Sequence, residues 1–236
     1  MSKALIYKSL LDTKTIYIKE ISSNGEKPYV MNFNNSISNP TLFDNISLFI
    51  ENYIKTKSLQ FDKICATSSS AIPYATNVAT SFEKGIIYIN NDNNNKDEKD
   101  NIKNIKIEGD MNIDDRILLI ETVVYNNFSI NNIIKKIRKY GGNIVGLIII
   151  INQCEGEYMN LINQNENIIP ILNIYDIFNH LENNNQIELF YCEKVKFYCE
   201  RITKDNINKF LLANEEKKEK EKDKEIEIEI QGLSNQ

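Results

Sequence analysis

At 236 residues, 42% hydrophobic and 9% aromatic, the chain is long enough to bury a full core in one α/β domain and still supply loops and a tail. Its net charge of −5 argues against nucleic acid as a main partner, because phosphate binding calls for a basic surface. The longest apolar run, Val145 to Ile151, falls far short of the roughly 18 to 20 residues needed to cross a bilayer, which argues against a membrane span.

Met1 to Lys8 shows no basic region followed by an apolar block, so a cytoplasmic location is expected. Cys65, Cys154, Cys192 and Cys199 lack paired C-x-x-C spacing and read as buried free thiols, with neither a metal centre nor a disulfide framework expected. His180 ends the stretch DIFNH and reads as a surface or helix C-terminal histidine.

In chain order, Thr15 to Ile21 and Tyr29 to Phe33 are β-branched or alternate, with Gly25 and Pro28 marking a turn, so they predict an antiparallel hairpin. Pro40 to Lys55 carries apolar residues at helical spacing, with Asn39 as N-cap and Pro40 at the first helical position. A strand over Phe61 to Cys65 feeds the polar loop Thr67 to Ser70, then a short helix from Ala71 and a strand over Gly85 to Ile89. Residues 90–104, NNDNNNKDEKDNIKN, have too few apolar groups to offset their chain entropy and predict a mobile loop.

A strand over Arg116 to Glu121 follows. Ile130, Ile133, Ile134 and Ile137 then fall on one face of a helix closed by Gly141 and Gly142. Ile144 to Ile151 is continuously apolar and predicts a strand buried on both faces. A helix near Glu155 to Leu161, a strand over Ile168 to Asn173, a helix over Tyr175 to Leu181 and further helix around Lys204 to Leu212 complete the pattern. Strands alternating with helices predict one α/β domain over residues 1–213, with a doubly wound, mostly parallel sheet and the hairpin as a small N-terminal hood. Residues 214–236 form a charge-dense, low-complexity tail: from Glu215 on, eight acids against five lysines leave it −3 and the body −2.

The stretch most suggestive of function is Ile117 to Ser129, ILLIETVVYNNFS, where an apolar strand ends in an acid and runs into a helix start. In a parallel α/β sheet this is where strand ends face a ligand crevice and helix N–H groups face an anion. The connecting loop has no glycine and carries Tyr125 and Phe128.

Four collinear blocks resemble the orotate phosphoribosyltransferase family, of type I phosphoribosyltransferase fold, which also forms the first domain of UMP synthase. They are KPYVMNF, FDKICATSSSAIPYAT, IKIEGDMNIDDRILLIETVV and the block from Gly142 to Asn152, and the resemblance spans about Ala4 to Leu211. It implies the joining of orotate to phosphoribosyl pyrophosphate, bound with Mg²⁺, to give orotidine 5′-monophosphate and pyrophosphate. It also implies a cytoplasmic homodimer, or a heterodimer with an active paralogue, acting on a small-molecule nucleotide precursor.

Residue by residue, the resemblance places Glu121 and Thr122 where the family has two adjacent acids on the ribose hydroxyls, so one carboxylate is lost. Tyr125, Asn126, Asn127, Phe128 and Ser129 stand at the family's 5′-phosphate loop. There Asn127 and Ser129 preserve a left-handed position and a hydroxyl; the other reading is that Asn126 or Asn127 caps the helix and Phe128 staples it. Thr67, Ser68, Ser69 and Ser70 stand at the pyrophosphate turn, either as anion ligands or as a polar turn satisfying its own backbone. Lys96 and Lys99 are the loop candidates for the family's basic catalytic residues. Gln153 replaces the arginine that meets orotate, and Ser22 stands where the hood turn carries a lysine.

Loss of a carboxylate, the phosphate-loop glycine and the orotate arginine together predicts a non-catalytic or severely impaired protein with no cofactor. The alternatives are an active orotate phosphoribosyltransferase with an atypical site, using Mg²⁺ with phosphoribosyl pyrophosphate, and a flavodoxin-like binding module of no closer kinship. At this length no fused decarboxylase domain is expected.

Overall fold

The structure is a computed structural model that describes residues 3–19, 26–91, 105–124, 127–153 and 167–202. Helix α1 (Lys3–Asp12) leads into β1 (Ile16–Ile18), which pairs antiparallel with β2 (Tyr29–Met31). These two strands form the expected hood hairpin, apart from the main sheet. β2 stops at Met31, short of the expected Phe33, because Asn32 turns to cap α2 (Phe33–Ile37), its side chain accepting from the N–H of Asn34.

Helix α3 (Pro40–Thr56) begins as its sequence dictates. Asn39 Oδ1 accepts from the Leu42 N–H at 2.9 Å and Pro40 occupies the first helical position, where no N–H is needed. Leu42, Ile46, Ile50 and Ile54 are buried along one face.

β3 (Lys63–Ala66), a 3₁₀ turn over Ser69–Ala71 and α4 (Ile72–Ser81) lead to β4 (Gly85–Asn91). β5 (Ile105–Glu108), β6 (Arg116–Val123), α5 (Asn127–Lys139), β7 (Asn143–Asn152), β8 (Ile168–Asn173), α6 (Ile174–Asn183) and α7 (residues 189–202) follow. Strands β3 to β8 make a six-stranded sheet ordered β5-β4-β3-β6-β7-β8, parallel except where β5 runs antiparallel along β4.

Alternate residues of β6 face opposite layers. Leu118 and Ile120 join the core formed with α1, α3, α4 and α6, while Ile117 and Leu119 join a second core under α5. β7 does the same through Ile148 and Ile150 against Leu147 and Ile149, so both faces of the sheet are covered, as a continuous apolar strand requires. The α5 stripe Ile130, Ile133, Ile134 and Ile137 is buried as expected. Gly141, at φ +87°, ends the helix in a conformation that glycine adopts without strain, and the Gly142 N–H donates to the Ile137 carbonyl.

Four elements go beyond the sequence expectation: α1, α2, β5 and α7. β4 also extends through Asn91, where Asn90 and Asn91 pair with Lys106 and Ile105, so the stretch expected as loop from residue 90 begins inside the sheet. The helices expected near residues 155–161 and 204–212 lie outside the described residues. Cys65, Cys192 and Cys199 are buried free thiols, and Cys154 lies outside the described residues. His180 lies in the last turn of α6, its ring edge-on to Tyr7 at 5.4 Å. Among the described residues no helix is long and apolar enough to cross a membrane.

Candidate functional site

The strand order fixes where a crevice belongs. From β3 the sheet grows outward through β4 and β5, and from β6 it grows the other way through β7 and β8, so the direction reverses between β3 and β6. Outside the carboxyl ends of two such strands neither crossover covers the sheet, and ligands of doubly wound folds bind there. Ala66 and Ile120 are register partners at those ends, followed by Thr67 to Ser70 on one strand and by Glu121 and Thr122 on the other.

Glu121 is 6% exposed, and both its carboxylate oxygens are occupied by its own chain. Oε2 accepts from Thr67 Oγ1 at 2.7 Å; Oε1 accepts from Ser68 Oγ at 2.6 Å and from the Thr122 N–H at 2.7 Å, with Thr122 Oγ1 at 3.2 Å. Ser70 Oγ lies 2.8 Å from Thr122 Oγ1 and 3.2 Å from Ser68 Oγ. Glu121, Ser68, Ser70 and Thr122 thus close a ring.

The direction of donation in that ring follows from elementary bookkeeping. A carboxylate only accepts, and each hydroxyl has one hydrogen. Ser68 spends its hydrogen on Glu121. Ser70 and Thr122 share a hydrogen bond in which either hydroxyl can donate. Thr67 is buried and spends its hydrogen on Glu121 or on the Ile120 carbonyl, 3.1 Å away. The donation fixed within the ring is that of Ser68 to Glu121.

The backbone holds the ring in place. Ser68 is extended, the 3₁₀ turn over Ser69–Ala71 follows, and the Ala71 N–H donates to the Ser68 carbonyl at 3.1 Å. The Thr67 N–H donates to the Ile120 carbonyl at 3.1 Å, stitching the turn to β6. Beneath it, burial pushes the Cys65 thiol well above the usual cysteine range, and the charge of Glu121 adds to the effect.

Gln153, just past β7, is 2% exposed. Its Oε1 accepts from Lys27 Nζ of the hood, which also lies 4.8 Å from the centre of the Tyr29 ring. A lysine can only donate, so the amide oxygen must face it and the amide nitrogen must face elsewhere. Among the described residues that nitrogen is buried without a hydrogen-bond partner. The Gln153 carbonyl is approached by Cys199 Sγ of α7 at 3.9 Å, so hood, sheet and α7 meet at this residue.

The structure therefore brings Thr67, Ser68, Ser70, Glu121 and Thr122 into one network. Ser69, in the same turn, is exposed. Gln153 is engaged with the hood. Tyr125, Asn126, Lys96, Lys99 and Ser22 lie outside the described residues, and Asn127 and Ser129 are described only as backbone of α5. Lys27 is the residue the sequence reading passed over, although it opens the KPYVMNF block; its signal was a charge immediately before a turn proline in a segment that returns to the sheet.

A metal ion needs several oxygen or softer ligands with lone pairs to spare. Among the described residues no three His, Cys, Asp or Glu side chains gather to hold one, and the single carboxylate of the network is already hydrogen-bonded through both oxygens. The network does not fit a metal bound by the protein itself.

No family model matches the chain. It is 24% identical to the orotate phosphoribosyltransferase of Pyrococcus abyssi over 158 residues, covering 67% of this chain and 84% of that protein. Its fold matches the UMP synthase of Leishmania donovani with a TM-score of 0.68 at 16% identity, covering 85% of this chain and 43% of that one. The orotate phosphoribosyltransferase of Aeropyrum pernix matches with a TM-score of 0.63 at 14% identity, over 76% of this chain and 98% of that one. With the switch point, the hood and the collinear blocks already placed, the chain carries the type I phosphoribosyltransferase fold of the orotate phosphoribosyltransferase family.

Proposed function

We propose that this protein is an orotate phosphoribosyltransferase-like member of pyrimidine biosynthesis that is non-catalytic or severely impaired. The observation that carries the reading is that both oxygens of Glu121 already accept hydrogen bonds from its own chain. A pyrophosphate presents acceptor oxygens and needs donors, and the Ser68 hydroxyl already donates to Glu121. A ribose needs a carboxylate able to accept from its hydroxyls, and Glu121 already accepts from its own chain. Thr122 adds no second negative charge to favour a developing cation.

The family reaction, orotate with Mg²⁺-bound phosphoribosyl pyrophosphate giving orotidine 5′-monophosphate, supplies the test. Calorimetry with Mg²⁺ and phosphoribosyl pyrophosphate is expected to give no saturable heat at millimolar ligand, and an assay with orotate is expected to give no product. The alternative is an active enzyme with an atypical site, supported by the gathering of the Thr67 to Ser70 turn on Glu121 at the switch point. Turnover lost on Glu121→Gln establishes that alternative and overturns the first reading. The partner on either reading is protein, a second copy of the chain or an active paralogue, and light scattering of the purified chain alone and mixed with the paralogue separates the two.

A further inference from the structure

We infer that α7 is a strap that holds the hood against the carboxyl rim of the sheet, so that release of the hood is coupled to release of α7. The inference stands on these contacts and is independent of the proposed activity. Tyr29, on β2 of the hood, is 1% exposed and lies between two helices. The Phe178 ring of α6 is 5.6 Å away at 45°, and the Tyr198 ring of α7 meets it edge-on at 6.3 Å and 87°. Lys27 Nζ lies 4.8 Å from the centre of the Tyr29 ring and the Arg201 guanidinium 5.7 Å from that of Tyr198, so each tyrosine carries a cation. Lys27 also donates to the Gln153 amide, and Cys199 Sγ of α7 approaches the Gln153 carbonyl at 3.9 Å. Hood, β7 and α7 thus close a loop of contacts at the end of β7, the strand beside the one that carries Glu121.

The two helices that grip Tyr29 are anchored unequally. α6 is fixed by Ile174, Ile177, Phe178 and Leu181, all buried. α7 is held by Cys192, Val195 and Cys199, buried at three- and four-residue spacing, while its larger apolar side chains Leu189, Phe190 and Phe197 are exposed. Small side chains bury little apolar surface, so α7 belongs to the part of the fold that opens first. When it lifts, Tyr29 loses the Tyr198 ring and the Gln153 carbonyl loses Cys199, whereas the Phe178 and Lys27–Gln153 contacts remain. A hairpin of two three-residue strands is marginal without its packing, so its protection follows that of α7. Whatever engages α7 thereby acts on the rim beside the Glu121 network.

The test is native-state hydrogen exchange of the full chain, read by mass spectrometry on peptides from the hood strands, α7 and, as a reference, α3. Wild type, Tyr198→Phe, Tyr198→Ala and Lys27→Met are compared, each first shown to melt cooperatively. Tyr198→Ala is expected to speed exchange of the hood strands on the order of tenfold, the ratio that loss of one edge-to-face ring pair gives, with α3 unchanged. Tyr198→Phe keeps the ring and is expected to match wild type. Coupling is reciprocal, so Lys27→Met, made on the hood, is expected to speed exchange of α7. Hood exchange in Tyr198→Ala equal to that of wild type overturns the inference, as does a rise shared equally by α3, which is a global loss of stability. If Tyr198→Ala does not fold, the α7 exchange of Lys27→Met decides by the same criteria.

Discussion

Lys27 of the hood donates to the amide oxygen of Gln153, 126 positions later and buried at the end of β7. This contact ties the two-stranded hairpin to the main sheet. Lys27→Met leaves that buried oxygen without its donor, an expected loss of about 1 to 3 kcal/mol in urea unfolding. Adding Gln153→Leu removes the stranded amide altogether and is expected to recover part of the loss. A double variant as unstable as the sum of the single ones rules out the coupling.

Asp62 and Arg116 form a fork, with Nε and Nη2 donating at 2.9 and 2.8 Å and the Arg116 N–H adding a third bond at 2.9 Å. The side-chain bonds to Arg116, then the backbone bond, hold the Asp62 carboxyl well below the usual carboxylate range. A folded-state value below the unfolded one stabilises fully above the unfolded value, roughly pH 4, and that stabilisation is lost as pH falls through the folded value. The melting-temperature gap between wild type and Asp62→Asn is therefore expected to be constant near neutrality and to close in acid. A gap that widens below pH 4 contradicts the assignment.

A Cβ on Gly142 would lie 2.7 Å from Ile137 Cγ2 and 2.9 Å from Met111 Sδ. Met111 can swing away, but Ile137 is a buried, β-branched residue of the α5 stripe and has little room. Gly142→Ala is expected to cost about 1 to 3 kcal/mol by overpacking, read from the shift in the unfolding midpoint. A neutral effect means that the turn after α5 is looser than described.

Burial keeps the Cys65 thiol protonated at pH values where an exposed cysteine ionises. Incubating the native chain with iodoacetamide at about pH 8, where an ordinary thiol is partly ionised, is expected to leave Cys65 unmodified in peptide maps, with full labelling after denaturation. Prompt labelling of native Cys65 means that the carboxyl end of β3 opens.

The elements legible in the sequence were those whose pattern is set locally. Asn39 and Pro40 announced α3, the isoleucines at 130, 133, 134 and 137 announced α5, and the apolar run after Gly142 announced β7. α7 was illegible because Leu189, Phe190 and Phe197 are exposed on it, so its buried residues Cys192, Val195 and Cys199 do not stand out as a stripe. α1 buries only Ile6, Tyr7 and Leu10 and has no acidic residue in its first turn. β5 is four residues long and pairs antiparallel, a partnership that alternation along the chain does not announce.

At the site, the sequence named Glu121, Thr122 and the Thr67 to Ser70 turn through family likeness. It left open whether those hydroxyls serve a ligand or the chain. The question turns on where each hydrogen goes, and that depends on the register of β3 against β6, which brings two segments 52 to 54 positions apart within hydrogen-bond reach. Lys27 was missed for the same reason: its partner lies across the fold.

The sheet ends on one side at the short β5 and on the other at β8, which carries the exposed Pro170 at its centre. Proline has no N–H to offer a neighbouring strand, and a four-residue edge gives a new strand little to zip onto. Among the described residues, neither edge of this sheet therefore invites a second copy to continue it strand to strand. The same two edges discourage the strand-to-strand stacking by which sheet-rich proteins precipitate.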